Sequence, residues 1–218
     1  MVKKMLAIFL LAGIQLGTFA QQAETELPDV PPRGKAAGQF IHPGLFLFRA
    51  SLAIGGMTQL KANNVFVEGN MEYFLDRKVS IRGDGYYFAA HTSDYKPFKF
   101  HHSLFTGAMF HPHVKGDFDP YFGLEVGINY AQATDPYLGG IGSAVVPVEG
   151  VTKVFSPTLS PVAGFNYYGG KFFHVTVHAR YIVGTFMDNY NVASLGEWRV
   201  SFGLGFNLSR KLINEKSN

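Results

Sequence analysis

The sequence contains no cysteine, so no disulfide framework holds the chain and its stability must come from the fold itself. Charge is scarce as well: Asp, Glu, Lys and Arg make up only 16% of the 218 residues. Net charge of one sign is scarcer still once the N-terminus is read. The opening MVKKMLAIFLLAGIQLGTFA sets Lys3 and Lys4 before an apolar run from Met5 to Leu16, with small residues at Thr18 and Ala20 ahead of Gln21. It is expected to be a secretory signal peptide, residues 1–20. Without its two lysines the 19 Lys and Arg fall to 17 against 16 Asp and Glu, so nucleic acid is not expected as a partner. No later stretch approaches the roughly 20 apolar residues of a membrane helix. A chain of this kind that lives in a membrane must cross it as strands.

What is present fits that route. The sequence is 47% apolar, with 25 Gly, 21 Phe and 11 Tyr. In FFHVTVHARYIV, residues 172–183, Phe173, Val175, Val177, Ala179, Tyr181 and Val183 fall on one parity and His174, Thr176, His178 and Arg180 on the other. Successive side chains of a strand point to opposite faces, so one face is continuously apolar while the other can ionise. Seven further stretches repeat the pattern. Phe46 to Ile54 sets apolar residues against Arg49 and Ser51; Val65 to Leu75 against Glu68, Asn70 and Glu72; Val79 to Tyr87 against Ser80, Arg82, Asp84 and Tyr86. In the fourth, Phe100, Leu104, Ala108 and Phe110 share their parity with His102, against Lys99, His101 and Ser103. The fifth opposes Phe122 to Tyr130 to Glu125 and Asn129, the sixth Leu159 to Tyr167 to Thr158, Ser160 and Asn166, and the last Trp198 to Leu208 to Arg199, Ser201 and Asn207. Each run has about the length a tilted strand needs to cross a bilayer.

The predicted fold is all-β: an eight-stranded antiparallel up-and-down transmembrane β-barrel over residues 44–208, with short periplasmic turns and longer extracellular loops. Residues 21–43, rich in proline, are expected to be a periplasmic linker, and 209–218 a polar tail. Three-residue turns would place Glu72 opposite Arg82, Tyr73 opposite Ile81, Asn166 opposite His174 and Ser160 opposite Arg180. Aromatics gather into a lower belt around Phe46, Tyr73, Phe122, Tyr167, Phe173 and Phe206. An upper belt holds Tyr87, Phe100, Tyr130, Tyr181 and Trp198, as expected at two membrane interfaces.

Ser201-Phe202-Gly203-Leu204-Gly205-Phe206-Asn207-Leu208 fits the polar-x-Gly-x-x-aromatic-x-hydrophobic pattern of the last strand that bacterial outer-membrane assembly machinery reads, with Ser201, Gly203, Phe206 and Leu208 at the key places. With the signal peptide and strand count, the chain resembles the small eight-stranded outer-membrane barrels, the family of the outer-membrane protein A transmembrane domain and outer-membrane protein X. The Gln-rich mature start resembles exported proteins of Bacteroidota. The resemblance implies residence in the outer membrane of a Gram-negative cell, contact with outer-membrane lipid and lipopolysaccharide, and the assembly machinery as a partner during insertion. One departure is that ten residues, Ser209 to Asn218, follow the signal strand.

Inside such a barrel the inward parity carries Arg49, Arg82, Arg180 and Arg199 against Glu68, Glu72, Asp84 and Glu125, with His174 and His178 beside them. Buried charges are costly unless partnered, so a salt-bridge network closing the lumen is expected. A narrow channel for passive transport of small solutes is the alternative. His101 and Ser103 form the H-x-S pair of outer-membrane lipid A hydrolases, but Leu104 and Phe105 replace the Asn-Ala of that family and the pair points inward, so no enzyme is expected. His111 with His113, and His174 with His178 some 13 Å apart along a strand, do not make a metal site; neither metal nor cofactor is expected. The loop 132–155 carries Tyr137, Leu138, Ile141, Val145, Val146 and Val148, apolar residues outside the span that call for cover from other loops or from a protein partner.

Overall fold

The computed structural model describes residues 41–94, 96–112, 117–134, 153–169, 172–187 and 192–208. The expected signal peptide, most of the linker, the tail, His113 and all six apolar residues of the 132–155 loop lie outside them. Among the described residues nine strands are formed: β1 (Phe46–Met57), β2 (Asn63–Phe74), β3 (Val79–His91), β4 (Phe98–Phe110), β5 (Phe118–Ala133), β6 (Lys153–Tyr168), β7 (Phe173–Met187), β8 (Val192–Ser194) and β9 (Glu197–Leu208).

Alternating sequence becomes alternating burial. Along β9 every second residue is buried, from Glu197 through Asn207, and Trp198 through Leu208 are exposed between them. β1 to β7 pair antiparallel in chain order, and β9 pairs with both β7 and β1, closing a ring of eight strands with no free edge. β8 is the one strand the alternation did not anticipate. Its three residues pair only with the far end of β7, as Thr185↔Ser194 to Met187↔Val192, outside the ring.

At one end the connections are short. Residues 75–78 join β2 to β3, where the Asp76 carboxylate accepts the N–H groups of Lys78 (2.5 Å) and Val79 (2.8 Å) in a side-chain-stabilised turn. The register that follows, Glu72↔Arg82 and Tyr73↔Ile81, is the expected one. The β6–β7 hairpin differs: Tyr168 pairs with His174, Asn166 with Thr176 and Val162 with Arg180, two residues away from the expected register. A slip of two leaves every side chain on its own face, so alternation alone could not detect it.

A second correction concerns Lys99. Phe98 pairs with Ala133 and Phe100 with Gln132, so Lys99 is an extra residue in β4 with no counterpart in β5. The bulge turns Phe98 inward and Lys99 outward, reversing the parity expected at that end. His102, which shares its parity with lipid-facing residues, lies between the rings of Tyr87 (4.5 Å) and Phe100 (5.3 Å), and its Nδ1 accepts the Phe88 N–H at 3.1 Å. β3 and β4 stop pairing after Tyr86↔Ser103, and the imidazole takes over a backbone donor that the ladder has released.

The exterior is an apolar skin: Leu52, Val126, Phe155, Phe202 and Leu204 are each more than half exposed. The lower aromatic belt is continuous in places, with Phe46 on Tyr73 at 4.6 Å and Phe173 on Phe206 at 5.0 Å. Charge is inside. A core that buries charge and a surface that exposes hydrocarbon invert the arrangement of a water-soluble sandwich, and suit a wall standing in lipid.

Candidate functional site: the charged lumen

The ten residues singled out as lumen-facing, Arg49, Glu68, Glu72, Arg82, Asp84, Glu125, His174, His178, Arg180 and Arg199, are all buried inside the ring. They fall into three groups along its length.

Near the short-turn end the organising group is the Glu72 carboxylate. It pairs with Arg49, with Arg82 at 2.7 Å, with His111 at 3.0 Å, and accepts the Ser80 hydroxyl. His111, just past the end of β4, uses its other nitrogen on Asp119 at 2.8 Å. Asp119 in turn accepts from Asn166 (2.9 Å) and the Tyr168 hydroxyl (3.2 Å). Arg49 Nε donates to His174, whose second nitrogen meets Asn207 Oδ1 at 2.6 Å. Burial alone would draw the His111 imidazole down, but its hydrogen bonds with Asp119 and Glu72 and their negative charge hold it above the ordinary histidine value.

Midway, Arg180 of β7 spans the interior to reach Asp84 of β3 and Glu125 of β5. The Glu125 contact is 2.9 Å but too poorly aligned for a hydrogen bond, so that pairing is ionic alone. His178 meets Glu68 at 3.2 Å and the Tyr86 hydroxyl at 3.1 Å. Asn70 also donates to Glu68.

Toward the long-loop end, Arg199 holds Glu197 with two of its nitrogens, at 2.6 and 2.9 Å, and Asn64 donates to the same carboxylate. One Arg199 nitrogen also donates to the Ser103 hydroxyl (3.1 Å) and lies 3.2 Å from His101 Nε2. Ser103 gives its own proton to Asn129, not to His101. Buried, pinned by an arginine and facing away from lipid, the H-x-S pair lacks the geometry of an activated nucleophile. His174 and His178 hold separate sets of partners. Among the described residues no three metal-ligating side chains gather to hold an ion.

Two features of the lumen went unread in the sequence. The first is the pair of acids Glu197 and Asp119. Glu197 is two residues from Arg199 on the same face of a strand, a signal available in the sequence; Asp119 precedes the expected start of the fifth strand at Phe122, whereas β5 begins at Phe118. The second is that the lumen is lined with rings as well as charges. Arg82 lies 4.0 Å from the ring centroid of Tyr121, Arg199 3.9 Å from Phe66, and Arg180 4.6 and 4.7 Å from Phe105 and Tyr86. Apolar groups cap the charged zone at both ends: Ile41, Leu45, Leu47, Phe74 and Tyr168 below, and Met57, Ala62, Phe98, Phe186 and Leu195 above. Ile41 belongs to the stretch expected to be linker, and it is buried in the lower group.

The assembly-pattern residues lie at the closing strand. Ser201 and Gly203 point inward, and Phe206 and Leu208 outward.

A closed ring of eight antiparallel strands with a lipid-suited exterior and a charged interior defines the class: the fold is that of a small outer-membrane β-barrel. The N-terminal β-barrel domain of Pseudomonas aeruginosa OprF superposes with a TM-score of 0.51 at 14% identity, covering 76% of this chain and 98% of that one. Neisserial surface protein A gives 0.51 at 15%, covering 80% and 99%. OprG of P. aeruginosa gives 0.51 at 16%, covering 78% and 98%. No family model matches the sequence, and no curated protein matches it in sequence.

Proposed function

We propose that the chain is an integral outer-membrane barrel whose lumen is shut by its buried ionic network, and that it serves a structural or interaction role without enzymatic activity. Arg180 carries this reading, because a guanidinium paired at once with carboxylates from β3 and β5 occupies the middle of the bore. Eight strands enclose little more than side chains can fill, and the stacked rings and apolar end groups take up more of it. Planar-bilayer recording tests the reading: no steady openings are expected, whereas steady single-channel currents would overturn it in favour of a narrow solute channel. Lipid A from expressing cells should keep its acylation pattern, and a changed pattern would restore the hydrolase reading.

Kinship with the barrels of outer-membrane protein A and outer-membrane protein X is supported by the final-strand pattern, and a Bacteroidota origin by the Gln-rich start. The same pattern supports handling by the assembly machinery at insertion. The 132–155 loop supports docking to a larger outer-membrane complex; cross-linking in intact cells should capture a protein on that loop, and its failure to do so would count against the role.

A further inference from the structure

The outer wall carries a feature that closing the lumen does not use. Among the described strand residues, only two exposed side chains are lysine or arginine, aspartate or glutamate, and both are lysines: Lys99 of β4 and Lys153 of β6. Both stand at the long-loop end of the two strands that flank β5. Phe100, Gln132 and Lys153 share one cross-strand row, and Lys99 is the bulged residue next to Phe100. Lys153 Nζ lies 5.9 Å from the Phe100 ring centroid.

Between and below the two lysines runs a chain of rings across four strands. Tyr87 meets His102 at 4.5 Å, His102 meets Phe100 at 5.3 Å, Phe100 meets Tyr130 at 5.1 Å, and Tyr130 stacks on Phe155 at 4.5 Å. Tyr87 and Phe155, at its two ends, are exposed. A single interfacial lysine can be explained by its stem lying along apolar surface while the ammonium reaches water. Here, however, β4 gives up its register to turn Lys99 outward, and the second lysine flanks the same ring. Both cations then face the same height of the bilayer, where lipid headgroups supply the counter-charge.

We propose that this shelf binds the phosphorylated sugar headgroup of lipid A in the outer leaflet, the two ammonium groups taking a phosphate and the rings lying against the sugar and the first carbons of its acyl chains. The assignment rests on the reading of the chain as an outer-membrane barrel with its long loops outward. The lysines supply charge complementary to a phosphate, the continuous ring surface suits a sugar face better than a slim phospholipid headgroup, and the position matches the leaflet that carries this lipid.

The test is native mass spectrometry of the full chain, purified in mild detergent and titrated with diphosphorylated lipid A, dephosphorylated lipid A, phosphatidylglycerol or inorganic phosphate. The wild type should retain diphosphorylated lipid A in preference to the other three. The Lys99→Gln/Lys153→Gln pair should lose roughly tenfold or more in retention, as expected for two interfacial cations, while Arg77→Gln/Lys78→Gln at the opposite end should not. Equal retention by wild type and the Lys99/Lys153 pair overturns the proposal, as does equal retention of phosphatidylglycerol. Competition by inorganic phosphate would overturn it in favour of a soluble-anion site. Heat-sensitive gel mobility of each variant reports the folded barrel separately, so loss of the barrel itself is distinguished from loss of the lipid.

Discussion

The guanidinium of Arg199 lies over the ring of Phe66, 3.9 Å from its centroid, on the opposite side of the β1 strand that separates β9 from β2. Neither residue is accessible, so the attraction acts without water to weaken it.

A double-mutant cycle over Phe66→Leu and Arg199→Met, read from urea unfolding in lipid vesicles, should therefore give a coupling of about 1–2 kcal/mol. Additive effects within error would show that the ring serves only to fill space.

Glu72→Gln should be the most damaging conservative change in the lumen. It leaves Arg49 and Arg82 sharing a neutral acceptor, and removing one partner of a buried ionic group costs about 3–5 kcal/mol. The expected readout is a large fall in the urea midpoint with the barrel still able to fold; an unchanged midpoint would mean that the two arginines are satisfied elsewhere.

His111 gives a pH dependence with a definite sign. Its folded value is raised by Asp119 and Glu72, so the folded state holds the proton more tightly than the unfolded chain does. The stabilisation is fully present below the unfolded value of about 6.5 and is lost as pH rises through the higher folded value. His111→Gln should flatten the fall in stability as pH rises above the unfolded value, relative to wild type. The same slope in both proteins would show that the imidazole does not titrate in that range.

Gly203→Ala should impair folding more than its one methyl suggests. A Cβ at Gly203 would run into the Ala50 carbonyl and the Ser51 side chain of β1. Such overpacking costs about 1–3 kcal/mol, and the yield of folded barrel in a heat-sensitive gel assay should drop. Full yield would show that β1 can yield locally.

Period-two alternation made the wall legible in the sequence, because a membrane outside and a charged bore inside punish any residue on the wrong face. What alternation could not reveal were the features that preserve parity or break it at a single point. The β6–β7 register slipped by an even number and left no trace. The Lys99 bulge reversed one end of β4 without altering the rest. In the bore, charges stood out against the apolar background, while Phe66, Phe105 and Tyr121 did not: an apolar residue on the inward face looks like noise until an arginine is seen resting on it. His102 was an anomaly in the sequence because its partners, a ring on β3 and a freed backbone amide, lie on another strand.

β1 is hydrogen-bonded along its length to β9, from Phe46↔Leu208 to Met57↔Glu197, so the earliest strand in the chain waits for the latest. Until the twelve residues of β9 are in place, both lips of the sheet carry bare amides and carbonyls that hydrocarbon will not solvate, at several kcal/mol for each group. A chain interrupted before β9, or trimmed of it, therefore cannot close the ring. Completion is a single latch, and quality control that senses an open lip can reject every unfinished copy by one criterion.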